Sequence, residues 1–145
     1  MSERTVASLP KSRRLRKRRE YLGVQQSGSR ITLPSCLLLL AARSGEAPAR
    51  LGITVTRKYG NAVRRNRAKR LFREAFRQLP GLFPNGIDVV VIPKASNQRP
   101  LELARIVAEW RGAGRLIGAR AESLRRALAN SPPGTQTAPS KGPTG

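Results

Sequence analysis

The side chains with the clearest chemistry in this 145-residue chain are cations. Nine Lys and Arg residues lie between Arg57 and Arg77, against a single acid, Glu74. Asn61 and Asn66 stand among them and add amide hydrogen-bonding groups without charge. Guanidinium groups hold phosphate through a planar fork and can also stack on bases. Cations at this density gain affinity for a polyanion through counterion release. Their mutual repulsion lowers stability until a polyanion relieves it. Glu74 is expected to pair with Arg70 or Arg67. For Asn61 two roles stand side by side, a helix cap and a ligand to RNA; Asn66, flanked by Arg65 and Arg67, reads as an RNA contact.

The groups that could cut a covalent bond unaided are few. The chain has no histidine, which rules out His-based general catalysis and Ser-His triads. Its one aspartate, Asp88, falls inside an apolar run, and the glutamates at 3, 20, 46, 74, 102, 109 and 122 are scattered. No pair has the local spacing of a two-metal carboxylate site. Gly60-Asn61 lacks the glycine spacing and the Lys-Thr/Ser of a nucleotide phosphate loop. Cys36 is the only cysteine, so no internal disulfide can form and Cys/His zinc sites are excluded. Beside a leucine run it reads as a small buried hydrophobe. On composition the chain is a binding protein.

An element must present those cations, and the same segment supplies it. Ala68, Leu71, Phe72, Ala75, Phe76 and Leu79 recur three and four apart, as one face of a helix over 62–79. Asn66, Lys69, Arg70, Arg73 and Arg77 fall on the opposite face. Arg65 interrupts the pattern near the apolar stripe, at the helix start. Asn61 precedes the helix as N-cap, and Pro80-Gly81 stops it. Around it, a first helix is predicted over 18–26 and a strand over 31–42, bent at Pro34. A second strand covers 51–55, where Leu51, Ile53 and Val55 alternate with Gly52, Thr54 and Thr56. The continuous β-branched run at 87–92 predicts a strand buried on both faces. A third helix follows over 101–110. Gly112 and Gly114 blur the next stretch, with a short helix at 122–129. The order is a helix, two or three strands (three with 31–42 split at Pro34), a helix, a strand and a helix, α-β-β-β-α-β-α, an α+β layout with one mostly antiparallel sheet.

The net charge is +21, from 29 Lys and Arg against 8 Asp and Glu. Eighteen of the cations lie in residues 1–30 and 57–77, so the charge is organised. That balance points to nucleic acid more than to a membrane or an acidic protein. No apolar signal core opens the chain, and the run at 36–42 is too short to span a bilayer. A cytoplasmic protein is expected. The expected boundaries are a disordered basic tail at 1–12, an RNA-binding domain at 13–130, and a disordered Pro/Gly/Ser/Thr tail at 131–145.

Over roughly 13–112 the chain resembles the bacterial ribonuclease P protein component. The resemblance rests on Thr56-Arg57-Lys58-Tyr59-Gly60-Asn61-Ala62-Val63, followed in register by Arg65-Asn66-Arg67-Ala68-Lys69-Arg70-Leu71-Phe72-Arg73-Glu74-Ala75-Phe76. Flanking segments agree in order: Arg14-Leu15-Arg16 through Tyr21, Leu51 through Thr56, and Asp88 through Ile92. It implies a left-handed βαβ crossover through the basic helix, as in the ribosomal protein S5 domain 2-like fold. It implies an RNA-binding set of Arg57, Lys58, Asn61, Arg65, Asn66, Arg67, Lys69, Arg70 and Arg73, docked on the catalytic ribonuclease P RNA. It implies that a cleft between the first helix and the sheet takes the single-stranded 5′ leader of precursor tRNA, with Tyr21 as its aromatic. Gln25 and Leu40 occupy cleft positions where the family commonly has further aromatics. The implied chemistry is endonucleolytic removal of the leader, carried by the RNA with RNA-bound Mg²⁺, the protein assisting. No membrane or DNA partner is expected. Two rivals fit the composition: a structural ribosomal-type RNA-binding protein, and a DNA-binding regulator, which lacks a helix-turn-helix pair.

Overall fold

The computed structural model describes residues 9–27, 29–94 and 101–130. Along them run α1 (Arg18–Ser27), β1 (Ser29–Thr32), β2 (Cys36–Ala42), β3 (Arg50–Ile53), α2 (Ala62–Gln78), β4 (Ile87–Pro93), α3 (Leu103–Gly112) and α4 (Gly114–Ala129). The strands form one sheet in the order β1-β2-β4-β3. β2 is antiparallel to both β1 and β4, pairing Leu38 with Ile31 and with Val91. β3 is parallel to β4, with Leu51 opposite Val89. This is the single-domain α+β layout, mostly antiparallel, that the periodicity predicts. The strand expected over 31–42 is a hairpin instead. The Leu33 N–H donates to the Cys36 carbonyl at 2.9 Å, turning the chain around Pro34.

Parallel neighbours cannot be joined by a tight turn, so the chain between β3 and β4 must cross over a face of the sheet. That crossover is α2. Its apolar stripe therefore faces the sheet and its basic face is carried outward. Ala68, Phe72, Ala75 and Phe76 are buried there. The Phe72 and Phe83 rings meet Trp110 of α3 with centroids 5.9 and 5.5 Å away. Leu38, Leu40, Val89 and Val91 share this core, which α4 closes through Ile117 and Ala121. Each of these leucine, valine and isoleucine side chains contributes about 1.5–3 kcal/mol by leaving water. Cys36 lies in the same core, and burial pushes its thiol up to about 12, so it stays protonated.

The other face of the sheet is narrower. Leu39, Ala41 and Val90 pack with Leu15 and with Val24 of α1. Two expected boundaries are corrected. Packed structure begins at Leu9, which is buried in the main core, and Lys11–Arg13 forms a 3-10 turn, so the ordered domain starts before residue 13. The last helix begins at Gly114, not near 122, because Ile117 and Ala121 bury one face of it despite Gly114 and Gly118. Residues 1–8 and 131–145, expected as tails, lie outside the described residues.

Candidate nucleic-acid interface

The basic segment opens with a 3-10 turn, Arg57–Tyr59, in which Arg57 and Lys58 are exposed. Gly60, with φ +154°, swings the chain into α2. Asn61 caps the helix, its Oδ1 accepting the Arg64 N–H at 2.9 Å. The cap role is thus taken, with the amide NH₂ end on an exposed residue. Arg65 folds back so that its Nη1 donates to the Gly60 carbonyl at 2.7 Å, which accounts for its place near the apolar stripe. Asn66, Arg67 and Arg70 are exposed along the outer face, and Arg67 also donates to the Leu101 carbonyl at 3.0 Å. Glu74 pairs with Arg77 and accepts from Gln78, rather than from Arg70 or Arg67. Those two guanidiniums are left without a carboxylate among the described residues.

Lys69 and Arg73 turn the other way, toward β3 and the approach to α1. With Lys11, Arg14, Arg16 and Tyr21 they line a cavity of about 350 Å³, and no carboxylate of the described residues lines it. Lys11, Arg14 and Arg16 are additions that the residue pattern did not single out. The segment 14–16 runs extended beside β3, the Leu15 N–H donating to the Leu51 carbonyl at 2.9 Å. Extended backbone alternates its side chains, so Leu15 goes to the core and both arginines go to the cleft. The alternation Arg14-Leu15-Arg16 was the available signal. Arg14 Nε is buried without a hydrogen-bond partner among the described residues. Arg73 is held below the ordinary arginine range, first by burial and then by the charge of Arg14. Two guanidiniums facing one cavity, with no counter-ion among the described residues, make a preformed place for an anion.

Tyr21 forms one wall. Its hydroxyl donates to the Leu15 carbonyl at 3.2 Å, and burial pushes the phenol up, keeping it neutral. The ring lies against Gly52 so closely that a Cβ there would sit 2.6 Å from Tyr21 Cε1. Gln25 is half-buried one turn further along α1. Leu40 does not belong to the cleft. It is 0% exposed and packs in the main core on the opposite face of the sheet. Side chains alternate along β2, so the α1 face carries Leu37, Leu39 and Ala41, of which Leu37 is half-buried beside Ile92.

An ionic chain fixes α1 above the sheet. Asp88 of β4, buried on the α1 face, takes Arg50 of β3 through two bonds of 2.9 and 2.7 Å. Arg50 Nη1 reaches Glu20 at 3.3 Å. The other Glu20 oxygen accepts the Arg16 and Lys17 N–H groups at 2.8 and 3.1 Å, and these bonds chiefly hold its carboxyl below the ordinary glutamate value. Among the described residues no three His, Cys, Asp or Glu side chains gather to hold a metal ion.

A family model, Ribonuclease P, matches residues 9–113. The ribonuclease P protein component of Gluconacetobacter diazotrophicus is 40% identical over 111 residues, covering 76% of this chain and 95% of that protein. That of Syntrophus aciditrophicus is 45% identical over 89 residues, 61% of this chain and 74% of the relative. Among solved structures, the RNase P protein from Thermotoga maritima superposes with a TM-score of 0.60 at 31% identity, over 75% of this chain and 96% of that one. The Staphylococcus aureus RNase P protein, at 24% identity and TM-score 0.63, shares the fold over 73% of this chain and 95% of its own.

Proposed function

Since the chain belongs to the ribonuclease P protein family, we propose a division of its cationic surface between two RNAs. The protein is a subunit of ribonuclease P, the ribonucleoprotein that processes precursor tRNA, and its partner is the ribonuclease P RNA. In our reading the outer face of α2, with Arg57, Lys58, Asn66, Arg67 and Arg70, meets that RNA. The cleft of Tyr21, Gln25, Lys69 and Arg73, joined by Arg14 and Arg16, takes the 5′ leader of precursor tRNA. The phosphates would meet the guanidiniums, and a leader base would stack on the Tyr21 side of the cleft. Stacking on one aromatic contributes about 1–3 kcal/mol. Asn61 acts first as a cap and Arg65 as a brace for the turn before it.

The observation that carries this reading is the cavity itself: cations from three segments and, among the described residues, a buried Arg14 Nε without a partner and no carboxylate to neutralise them. The protein supplies affinity and orientation; hydrolysis of the phosphodiester stays with the RNA. Mg²⁺ belongs on the RNA side in this scheme, because the described residues offer no fitting donor cluster, and no protein side chain is assigned to it. A cytoplasmic location follows from the substrate, and no helix of the described residues is long and apolar enough to cross a membrane.

The test is the reconstituted holoenzyme with Tyr21→Ala, assayed on precursor tRNA with a long leader and on one with a single-nucleotide leader. We expect KM to rise roughly tenfold for the long leader only, from about 1.4 kcal/mol of lost stacking. Equal losses on both substrates would refute the leader assignment. Cleavage by the protein alone would refute the division of labour.

A further inference from the structure

One apolar feature interrupts the basic surface of α2 and has no part in phosphate binding. Val63, on the first turn of the helix, is 74% exposed, the highest value among the exposed large hydrophobic residues described. Its neighbour Arg64 is exposed too, but it is folded back over the turn before the helix. The guanidinium lies over the half-buried Tyr59 ring, 5.6 Å from the centroid. The side chain folds back along Gly60, where an added Cβ would come within 3.0 Å of Arg64 Cδ. The backbone N–H of Arg64 is already held by Asn61. No carboxylate pairs with Arg64 among the described residues, and the sequence has none from Arg57 to Arg73.

A guanidinium meant only for a phosphate keeps its fork free and needs no ring beneath it. A flat guanidinium supported by an aromatic ring, beside an exposed isopropyl group, is a stacking surface. Arg57 and Lys58 at its edge fit the phosphates on either side of a stacked nucleotide. The geometry points to a nucleobase platform made of Tyr59, Val63 and Arg64, which receives one unpaired base of the catalytic RNA. Structured RNA offers such bases in loops and bulges, splayed out of the helix. The inference rests on the reading that the outer face of α2 meets the RNA subunit.

Stacking and phosphate contact separate by their salt dependence. Each phosphate contact releases counterions and steepens the fall of affinity with salt, whereas stacking on a neutral side chain leaves the slope alone. The experiment measures Kd of the full-length protein for its RNA subunit over a series of monovalent salt concentrations. Tyr59→Ala and Val63→Ser are expected to weaken binding at every salt concentration with the slope unchanged. The loss for Tyr59→Ala should be roughly five- to 150-fold, the span of one stacked base. Tyr59→Phe should bind as the parent does. Arg67→Ala serves as the contrast, lowering both affinity and slope. If Arg67→Ala weakens binding while Tyr59→Ala and Val63→Ser do not, or if these two flatten the slope, the platform is overturned. If Arg67→Ala also has no effect, it is the assignment of the α2 face that falls.

Discussion

Gly52 decides where Tyr21 lies. On β3 it points to the α1 face, and the phenol ring occupies the space that any larger residue would need. Gly52→Ala places a methyl group 2.6 Å from Tyr21 Cε1, so the ring must leave its seat. Such overpacking costs about 1–3 kcal/mol. We expect a lower melting temperature and a loss of leader-dependent affinity close to that of Tyr21→Ala. In a Tyr21→Ala background the same change should cost little in either measure, because nothing is left to collide with. Additive losses in this double-mutant cycle would show that Gly52 acts by another route. The pair also marks what single residues revealed in the sequence. Tyr21 was legible through the family resemblance, as the aromatic of the cleft, and Asn61 as a cap ahead of an amphipathic run. Leu40 was misplaced because four leucines in a row, 37–40, carry no alternation from which to tell one face from the other. Only the helices on each side of the sheet distinguish Leu39, under α1, from Leu40, under α2 to α4.

At the scale of elements, α1 is held by charge as much as by packing. Its buried contribution from Val24 is small, and the chain Asp88–Arg50–Glu20 ties its first turn to β4 and β3. Glu20 also caps the N–H groups of Arg16 and Lys17, placing Arg16 at the cleft. Its carboxyl titrates below the ordinary glutamate value because those backbone donors, and then Arg50, favour the ionised form. A depressed folded value means that the stabilisation is present above the unfolded pKa and is lost as pH falls through the folded one. Glu20→Gln keeps an oxygen for the N–H groups and removes the charge. It should therefore lower the urea midpoint at neutral pH, with the gap to the parent closing in acid. A gap independent of pH would mean that the charge of Glu20 is not what holds α1. None of this network was legible in the sequence, since Glu20, Arg50 and Asp88 are far apart along it and meet only through the parallel pairing of β3 with β4. The helix α2 was legible almost to its ends, because its stripe, cap and stop all agree. The last helix was not: its glycines read as a break, and the burial of Ile117 and Ala121 overrides them.

For the whole molecule, a net charge of +21 has to be arranged so that the free protein still folds. Most of the described carboxylates are spent on Arg43, Arg50, Arg105, Arg125 and Arg126, and on α2 Glu74 takes only Arg77, at the end of the helix. Among the described residues, α2 up to Arg73 and the lining of the Tyr21 cleft are left without a carboxylate, so the repulsion is concentrated where the ligand is to bind. Stability and binding then oppose one another at the same side chains. Arg73 is the sharpest case, half-buried, facing Arg14, and held below the ordinary arginine range by that burial and that charge. Arg73→Gln keeps a polar group of similar reach and removes the repulsion. In the free protein at low salt it should raise the melting temperature by about 2–5 °C, the shift that roughly 1 kcal/mol produces in a domain of this size. The gain should shrink as salt screens the Arg14–Arg73 repulsion. In the holoenzyme the same variant should bind leader-bearing precursor tRNA more weakly, with a shallower salt slope. A melting temperature that falls at low salt would show that Arg73 supports the fold through its own contacts, and that the cleft is not held under charge strain in the free protein.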